Sequence, residues 1–414
     1  MSDVERRETL KVALPLLLFF VLLNYHNVPH SSFGETLLGD KLIPSRFGAQ
    51  GAYKEERSYG RSYVPKESRF SLHSIPPKLP TIMSNEETQP PRQKAIIGNL
   101  NHDFWIYDSE TGFDLTRPPP PFTNPRHNAV TIRTTSSPIT ITPSKTALVI
   151  IDMQNFFLSE ALGRPAGSKG LKAQEQLLRY AVPAARKAGV QVVWLNWGLR
   201  EEDLERMPPA TVRAFGFEVV GVEEFERMVT GDEVDSDNGR SSSGGGVLNK
   251  DLGKDARIYK GLGQDLGTVT LVDGTAISAG RMLMGDQWNT QLSPPLHESY
   301  TSSLETSLPD VIIDKNRISG MHLPASPASL YFQEKDIKTL IFAGVNTDQC
   351  VLGTLADAYC QGYDVVMLRD GCATTSPVGA QECVENNVAK TMGFLTDCQC
   401  FADGVEESLA GKET

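Results

Sequence analysis

The chain has 414 residues, 40% of them hydrophobic, so it can bury either one large core or two ordinary ones. Its formal net charge of −11, without a dense stretch of Lys and Arg, argues against binding to the phosphate backbone of nucleic acids. All six cysteines lie between residues 350 and 400. Because disulfide frameworks typically brace small secreted chains, reduced thiols in a cytoplasmic protein are the simpler interpretation.

An apolar segment near the N-terminus, residues 12–23, conflicts with that localisation. It is too short for an ordinary membrane-spanning helix and closer in length to the core of a signal peptide. However, Asp3, Glu5 and Glu8 weaken the positive charge expected before such a core, and no Ala-x-Ala cleavage site follows. Three interpretations stay open: a signal peptide, a membrane anchor, or an extension without a targeting role.

Composition also indicates the domain organisation. Residues 24–95 are rich in Ser, Pro, Gly and basic residues and lack apolar periodicity, which predicts disorder. Asp103–Tyr107 predicts a short strand, and the prolines at 118–121 interrupt regular structure. We predict three parts: an N-terminal extension over 1–126, a catalytic domain over 127–405 and a tail over 406–414.

The catalytic domain begins with alternating strands and helices. Val130–Arg133 and Ile139–Ile141 predict an edge hairpin, and Ala147–Ile151 is an apolar run typical of a buried parallel strand. A helix near 172–188 and a strand over Val190–Trp197 follow. This alternation predicts right-handed crossovers and a doubly wound sheet with helices on both faces.

Residues 198–308 form a long insertion before the next predicted strand, 310–315. The stretch 231–246 is rich in Ser, Gly and Asp and predicts a mobile loop. Gly267–Ser278, with an Asp-Gly turn in its middle, predicts a β-hairpin. An ordered insertion at the C-terminal ends of strands is where a lid or a substrate pocket would lie.

The segment around Cys350 is the most informative part of the chain. The apolar strand 339–343 is followed by a polar turn, and Thr347 and Asp348 are natural N-cap residues for a helix with the cysteine in its first turn. A thiol there feels the positive end of the helix dipole, which favours the thiolate. Beyond the helix stop at Gly362, the remaining predicted elements are a strand at 364–368, a helix at 377–392 and a short strand at 399–401.

Three predicted strands lead into a side chain suited to covalent catalysis: Asp152, Lys315 and Cys350. The C-terminal ends of parallel strands share one edge of the sheet, where ligands bind. The three residues are therefore expected to converge, although they are far apart in sequence. Each also has an ordinary explanation when taken singly: a helix-capping acid, an exposed strand-end charge and a buried structural thiol.

These motifs resemble those of the isochorismatase-like cysteine hydrolase superfamily, which includes nicotinamidases, N-carbamoylsarcosine amidohydrolases and ureidoacrylate amidohydrolases. The resemblance covers roughly residues 142–403. It is strongest to the ureidoacrylate branch at Val193–Gly198, Gln287–Asn289 and Lys315–Gly320. It implies an α/β fold with a doubly wound, mainly parallel, six-stranded sheet.

The resemblance also implies roles for individual residues. Cys350 would be the nucleophile, Asp152 the general base, and Lys315 the cation that favours their charged forms. The backbone N–H groups of Asn346 and Cys350 would form the oxyanion hole, with a cis peptide bond before Asn346.

Further candidates for substrate contact are Gln154, Asn155, Trp197, Trp288 and Asn289. Trp197, Trp288 and Asn289 would form an aromatic wall with one amide, and ordinary core packing is the alternative. Gln154 and Asn155 would either orient the acid-bearing strand or reach the pocket, and a purely structural role in the turn is equally open.

No metal site is expected. Nicotinamidase-type members carry an Asp-x-His-x-x-His-like cluster after the second strand, whereas the corresponding stretch 196–203 contains no histidine. The spacing of His297 and His322 fits no local metal motif. The resemblance therefore implies a cofactor-free site and makes nicotinamide a less fitting substrate.

The leading hypothesis is a cysteine-dependent hydrolase that cleaves a C–N bond of a small amide or ureide through a thioester acyl-enzyme. Vinyl-ether hydrolysis of the isochorismate type is the alternative within enzymes, although that chemistry needs no thiol. A non-catalytic scaffold on the same fold is the alternative outside enzymes. The family resemblance implies a homo-oligomer, and any membrane association would come through residues 12–23.

Overall fold

The computed structural model describes residues 91–122, 128–217, 219–223, 225–226 and 259–411, all within one compact unit. The apolar segment 12–23 and the predicted loop 231–246 lie outside the described residues. None of the helices in the described ranges is long and apolar enough to cross a membrane.

The strands of the described part, in chain order, are β1 (Lys94–Asn99), β2 (Asp103–Asp108), β3 (Gly112–Asp114), β4 (Val130–Ile132), β5 (Ile139–Ile141), β6 (Thr146–Ile151), β7 (Gln191–Trp197), β8 (Thr268–Thr270), β9 (Ala276–Ser278), β10 (Val311–Lys315), β11 (Thr339–Val345), β12 (Asp364–Ala373) and β13 (Phe394–Thr396).

The α-helices are α1 (Asn155–Leu158), α2 (Lys169–Gln176), α3 (Val182–Ala188), α4 (Glu201–Glu205), α5 (Pro209–Phe215), α6 (Pro294–Ser303), α7 (Pro327–Glu334), α8 (Leu352–Cys360), α9 (Ala380–Asn387) and α10 (Cys398–Ala410). Three π-helical segments adjoin them: Leu177–Ala181, Thr347–Val351 and Val388–Met392. Short 3₁₀ turns cover Pro143–Lys145, Glu160–Leu162 and Trp288–Thr290.

The central sheet has six strands in the order β10-β7-β6-β11-β12-β13, and every neighbouring pair is parallel. The chain enters at β6, runs outward through β7 to β10, returns to β11 beside β6, and then runs outward in the other direction. This reversal is the mark of a doubly wound sheet, and ligands bind where it occurs. The predicted α/β fold class is confirmed.

Close packing at this reversal depends on one glycine. Gly344 pairs with Ile151 across β11 and β6 and has a φ of +116°. A Cβ atom at Gly344 would lie 2.1 Å from the backbone oxygen of Ile151. Only glycine both tolerates that φ and leaves room for the neighbouring strand.

A second, five-stranded sheet has the order β1-β2-β3-β5-β4. The hairpin of β4 and β5 and the strand β2 confirm two sequence predictions. However, β1 to β3 lie within the 1–126 stretch that the sequence places in the extension, and they are regularly paired. Contacts join this sheet to the central one: Trp105 and Arg117 both bond to the Asp364 carboxylate at the start of β12.

Three element predictions need correction or are confirmed only in part. The last strand is β13, not 399–401, which lies in α10 because the Asp397 side chain caps the helix by accepting from the Cys400 N–H at 2.8 Å. The helix α10 also continues to Ala410, into the predicted tail 406–414. Within the insertion, the predicted hairpin is present as β8 and β9.

Candidate active site

The strand register brings four chain segments to one edge of the central sheet. Lys315, the last residue of β10, pairs with Trp197, the last residue of β7. Ile151 at the end of β6 lies between Leu195 of β7 and Gly344 of β11. The side chains that follow these strand ends therefore share one buried space, as the parallel topology predicts.

Asp152 and Lys315 form an ion pair at this edge. Lys315 Nζ lies 3.1 Å from Asp152 Oδ2, and the two side chains are 2% and 0% exposed. Lys315 Nζ also donates to the Arg317 backbone oxygen at 3.2 Å. Neither Asp152 oxygen accepts a hydrogen bond of good geometry from the described residues. Burial raises the pKa of Asp152, and the charge of Lys315 opposes that rise.

Cys350 lies in the π-helical segment that follows β11, and the residue is 5% exposed. The N-cap of this segment is Asn346, rather than Thr347 or Asp348 as predicted. Burial raises the pKa of the thiol to about 12, the Asp152 charge adds to that rise, and the Lys315 charge opposes it. The predicted stabilisation of a free thiolate by the helix start is therefore wrong for the resting site, because loss of solvation outweighs it.

Trp197 forms one wall of the site and is fully buried. Lys315 Nζ lies 3.9 Å from the centroid of its ring, close enough for a cation–π interaction. The Trp197 ring packs edge-on against Phe215 of the insertion at 5.2 Å. Part of the insertion thus covers the site, in line with the predicted location.

Gln154 and Asn155, two predicted substrate contacts, use their amides on the backbone instead. The Gln154 amide donates to the backbone oxygens of Trp197 and Thr290 and accepts from the Trp197 N–H, at 2.7–3.1 Å. Asn155 Nδ2 donates to the Trp288 backbone oxygen at 2.9 Å. These bonds tie the Asp152 turn to β7 and to the insertion, so both residues position the site.

The other two predicted contacts belong to the insertion. Asn289 is fully buried, accepts from the Leu283 N–H and donates to the backbone oxygens of Ala279 and Arg281. Its amide is therefore fully engaged and cannot also contact a substrate in this arrangement. Trp288 is half-buried and packs on the core. Core packing, the alternative interpretation, describes both residues.

Asn346 lies where β11 passes into the turn that carries Cys350. The Val345–Asn346 peptide bond is cis, as the family resemblance implies. The Asn346 backbone oxygen accepts from the N–H groups of Gln349 and Val351, which closes the turn around Cys350. The oxyanion role of the Asn346 and Cys350 N–H groups stays a prediction.

A cavity of about 380 Å³ borders this turn. Its wall includes Asn346, Phe157 just after the Asp152 motif, and Arg164. Arg164 belongs to no motif, and only the structure shows that it is buried beside the site. Among the described residues, no group of three or more His, Cys, Asp and Glu side chains could hold a metal ion.

Comparison with known proteins finds similarity over about two thirds of the chain. A family model, the Isochorismatase domain, matches residues 283–399, which include Lys315 and Cys350. Ureidoacrylate amidohydrolase RutB of Cronobacter sakazakii is 24% identical over 288 residues, covering 68% of this chain and 98% of that protein. RutB of Methylorubrum extorquens is 25% identical over 281 residues, covering 67% and 89%.

Solved structures align as well. A cysteine hydrolase from Pseudomonas syringae aligns with 18% identity and a TM-score of 0.39, covering 69% of this chain and 100% of that one. Nicotinamidase PncA from Bacillus subtilis aligns with 17% identity and a TM-score of 0.38, covering 61% and 99%. Residues 283–399 thus match the Isochorismatase domain, and the chain is similar to ureidoacrylate amidohydrolases.

Proposed function

We propose that this protein hydrolyses a C–N bond of a small linear amide or ureide through a thioester on Cys350. The observation that carries the proposal is the buried meeting of a carboxylate, an ammonium and a thiol at the sheet edge. Lys315 Nζ is 3.1 Å from Asp152 Oδ2, and the thiol of Cys350 interacts with both side chains. Amidohydrolase activity in the relatives named above supports the same reaction class.

In the first half-reaction, Asp152 accepts the thiol proton while Cys350 Sγ attacks the carbonyl carbon. Burial raises the pKa of Asp152, which makes this carboxylate a stronger base, while the raised pKa of the thiol keeps the proton on Sγ until the attack. Lys315 stabilises the negative charge throughout. The C–N bond then breaks, the leaving nitrogen takes the proton from Asp152, and the acyl group stays on Sγ as a thioester.

In the second half-reaction, water attacks the thioester carbon and Asp152 accepts its proton. The C–S bond breaks, the carboxylic or carbamic acid is released, and the proton returns to Sγ. At the end of this half-reaction Asp152 is again ionised beside Lys315, as it was at the start of the cycle. One base therefore serves both halves, and each proton accepted is given back.

The two alternatives fit the site less well. Vinyl-ether hydrolysis does not require a nucleophilic thiol, so it leaves the contact between Cys350 and Asp152 without a purpose. A scaffold would have no use for a fully buried carboxylate, since burying a charge costs stability. The covalent amidase explains both features.

The test is ammonia release from a panel of linear amides and ureides. Cys350→Ser is expected to lower kcat/KM by about 10³-fold or more, because the nucleophile is lost. Cys360→Ser, which changes an exposed cysteine at the end of α8, is the matched control and should retain activity. Full turnover by Cys350→Ser would contradict the covalent mechanism. Failure of the wild type on every amide and ureide would favour the scaffold.

A further inference from the structure

The indole N–H of Trp197 has no acceptor, unlike the N–H groups of two other tryptophans. Trp105 Nε1 donates to Asp364 at 2.7 Å, and Trp194 Nε1 donates to Asp310 at 3.0 Å. Trp197 is fully buried, and no described residue accepts a hydrogen bond of good geometry from its Nε1. A buried donor without an acceptor has lost its hydration and gained nothing in return, so it needs an explanation.

The surroundings of Trp197 hold its ring in one place. The Gln154 amide bonds both the backbone N–H and the backbone oxygen of Trp197, at 3.1 and 2.8 Å. Phe215 packs edge-on against the ring at 5.2 Å. Lys315 Nζ lies 3.9 Å from the ring centroid. A ring fixed in this way cannot turn its N–H toward a different acceptor.

Lys315 determines which kind of acceptor would suit this N–H. An ammonium group has donors only, so Lys315 cannot satisfy the indole. A cation over an aromatic ring attracts the π electrons of that ring, which leaves the N–H edge more positive. Hydrogen bonds to an anion are also stronger than hydrogen bonds to a neutral group. An anion is therefore the acceptor that fits best.

Asp152 and Cys350 are the groups of the proposed triad that can carry negative charge. The Asp152 carboxylate is already paired with Lys315 Nζ at 3.1 Å. Burial raises the pKa of the Cys350 thiol, and the Lys315 charge and the Trp197 side chain both oppose that rise. Because the raised pKa keeps the thiol protonated at rest, a negative sulfur is present only during the reaction.

We propose that the Trp197 N–H donates a hydrogen bond to Cys350 Sγ whenever the sulfur carries negative charge. This inference rests on the proposed hydrolase function and adds a donor to the same site. In the first half-reaction, the thiol proton goes to Asp152, and the N–H stabilises the sulfur until the C–S bond forms. In the second, the C–S bond breaks, its electron pair returns to Sγ, and the N–H stabilises the sulfur until the proton comes back. The indole keeps its own proton throughout.

Alkylation by iodoacetamide tests the proposal without an amide substrate. Cys350 Sγ attacks the methylene carbon, the C–S bond forms, iodide leaves with the electrons of the C–I bond, and the thiol proton goes to Asp152. Peptide mass spectrometry at a fixed pH measures the rate at Cys350. The variant carries 3-benzothienylalanine at position 197, in which a sulfur atom replaces the N–H and the size of the ring system is kept. Its rate should fall about tenfold or more, because a hydrogen bond to a charged group is lost.

The same replacement at Trp194 is the matched control. Trp194 is also fully buried on β7, but its N–H is bonded to Asp310. At position 194 the free energy of unfolding should fall and the alkylation rate should equal that of the wild type. At position 197 the alkylation rate should fall and stability should hardly change, since no good hydrogen bond is lost from the resting protein. A wild-type alkylation rate in the position-197 variant, or equal losses of rate at both positions, would overturn the proposal.

Amide turnover distinguishes this proposal from the proposed function. With the best amide or ureide, the position-197 variant should lower kcat and kcat/KM by the same factor and leave KM unchanged, because the hydrogen bond forms only during the reaction. If no amide is hydrolysed but alkylation still depends on the N–H at position 197, the hydrolase proposal fails and the donor stands. If the position-197 variant hydrolyses amides at the wild-type rate, the donor fails and the hydrolase proposal stands.

Discussion

Two buried carboxylates at opposite ends of the central sheet have very different surroundings. Asp364, at the start of β12, accepts from Trp105 Nε1 at 2.7 Å, from Arg117 through two bonds of 2.7 Å, and from Thr339 Oγ1 at 2.8 Å. Asp152, just beyond β6, has an ammonium 3.1 Å away and accepts no hydrogen bond of good geometry from the described residues.

The difference in hydrogen bonding distinguishes a structural ion pair, Asp364 with Arg117, from a reactive one, Asp152 with Lys315. Full hydrogen bonding makes Asp364 an anchor that holds residues 103–117 to the hydrolase core, because each bond offsets its desolvation. Burial raises the pKa of Asp152, which lies beside the thiol of Cys350, and the charge of Lys315 only opposes that rise. Such a carboxylate can accept a proton, and stability is sacrificed for that ability.

The largest expected effect is on catalysis. Asp152→Asn removes the base while nearly preserving shape, so kcat/KM for the best amide should fall about 10³-fold, within the range for a lost general base. Ammonia release measures this. The matched variant Asp364→Asn should keep its kcat/KM within a few-fold when rates are normalised to folded protein. Equal losses of kcat/KM in Asp152→Asn and Asp364→Asn would contradict the assignment of Asp152 as the reactive carboxylate and Asp364 as the structural one.

Stability should show the reverse order. Asp364→Asn removes the buried charge partner of Arg117 and leaves it only the exposed Asp103, so the free energy of unfolding should fall by about 3 kcal/mol. Urea unfolding, followed by tryptophan fluorescence, provides the value. Asp152→Asn should cost less, because the Asp152 carboxylate has one ion-pair contact, Lys315 Nζ at 3.1 Å, whereas Asp364 accepts four hydrogen bonds. The comparison is refuted if Asp152→Asn proves the more damaging of the two.

Gly344→Ala tests the packing that brings the reactive pair to the thiol. Its φ of +116° and the 2.1 Å approach to Ile151 predict a loss of about 2–3 kcal/mol in the free energy of unfolding. Activity per folded molecule should fall too, since β11 delivers Cys350. Gly362→Ala is the control: its φ is also positive, at +89°, but no atom lies within 4 Å of the added Cβ. Similar losses of stability in both variants would show that the positive φ alone, and not the close approach to Ile151, explains the effect of Gly344→Ala.

The raised pKa of Asp152 gives opposite pH dependences for activity and stability. The ionised carboxylate is the base, so kcat/KM should fall as the pH drops through a value above the ordinary aspartate pKa of about 4. A raised native pKa means that the folded state binds this proton more tightly. The stability it contributes is present below about pH 4 and lost as pH rises through the raised pKa. Activity and melting profiles of wild type and Asp152→Asn check both signs. A kcat/KM that falls only at or below pH 4 would contradict a raised pKa of Asp152.

The smallest effect concerns the anchor. Trp105→Phe removes the 2.7 Å hydrogen bond to Asp364 and keeps an aromatic ring against Phe113 and Phe394. The free energy of unfolding should fall by about 1.5 kcal/mol, with kcat/KM unchanged. Tyr107→Phe, which retains the ring near Phe113, is the control and should be nearly neutral. A drop in kcat/KM in Trp105→Phe would show that the anchor is coupled to the catalytic edge.

The sequence predicted the elements that local pattern determines. Apolar runs and strand alternation located β6, β10 and β11, and parallel topology then brought Asp152, Lys315 and Cys350 together. Other properties depend on tertiary packing, which periodicity does not encode. The raised pKa of the Cys350 thiol follows from its burial, and the amides of Gln154 and Asn289 are used by backbone groups that the tertiary fold places beside them. Arg164 carries no motif at all.

Intact-mass spectrometry of acid-quenched enzyme tests the central claim most directly. Wild type mixed with the best amide or ureide substrate and quenched within one turnover should gain the mass of the acyl group, mapped by peptide analysis to Cys350. Asp152→Asn should accumulate the adduct far more slowly, and Cys350→Ser should give no adduct at that residue. Rapid turnover with no covalent species at any quench time, or with the acyl group on another residue, would contradict the account.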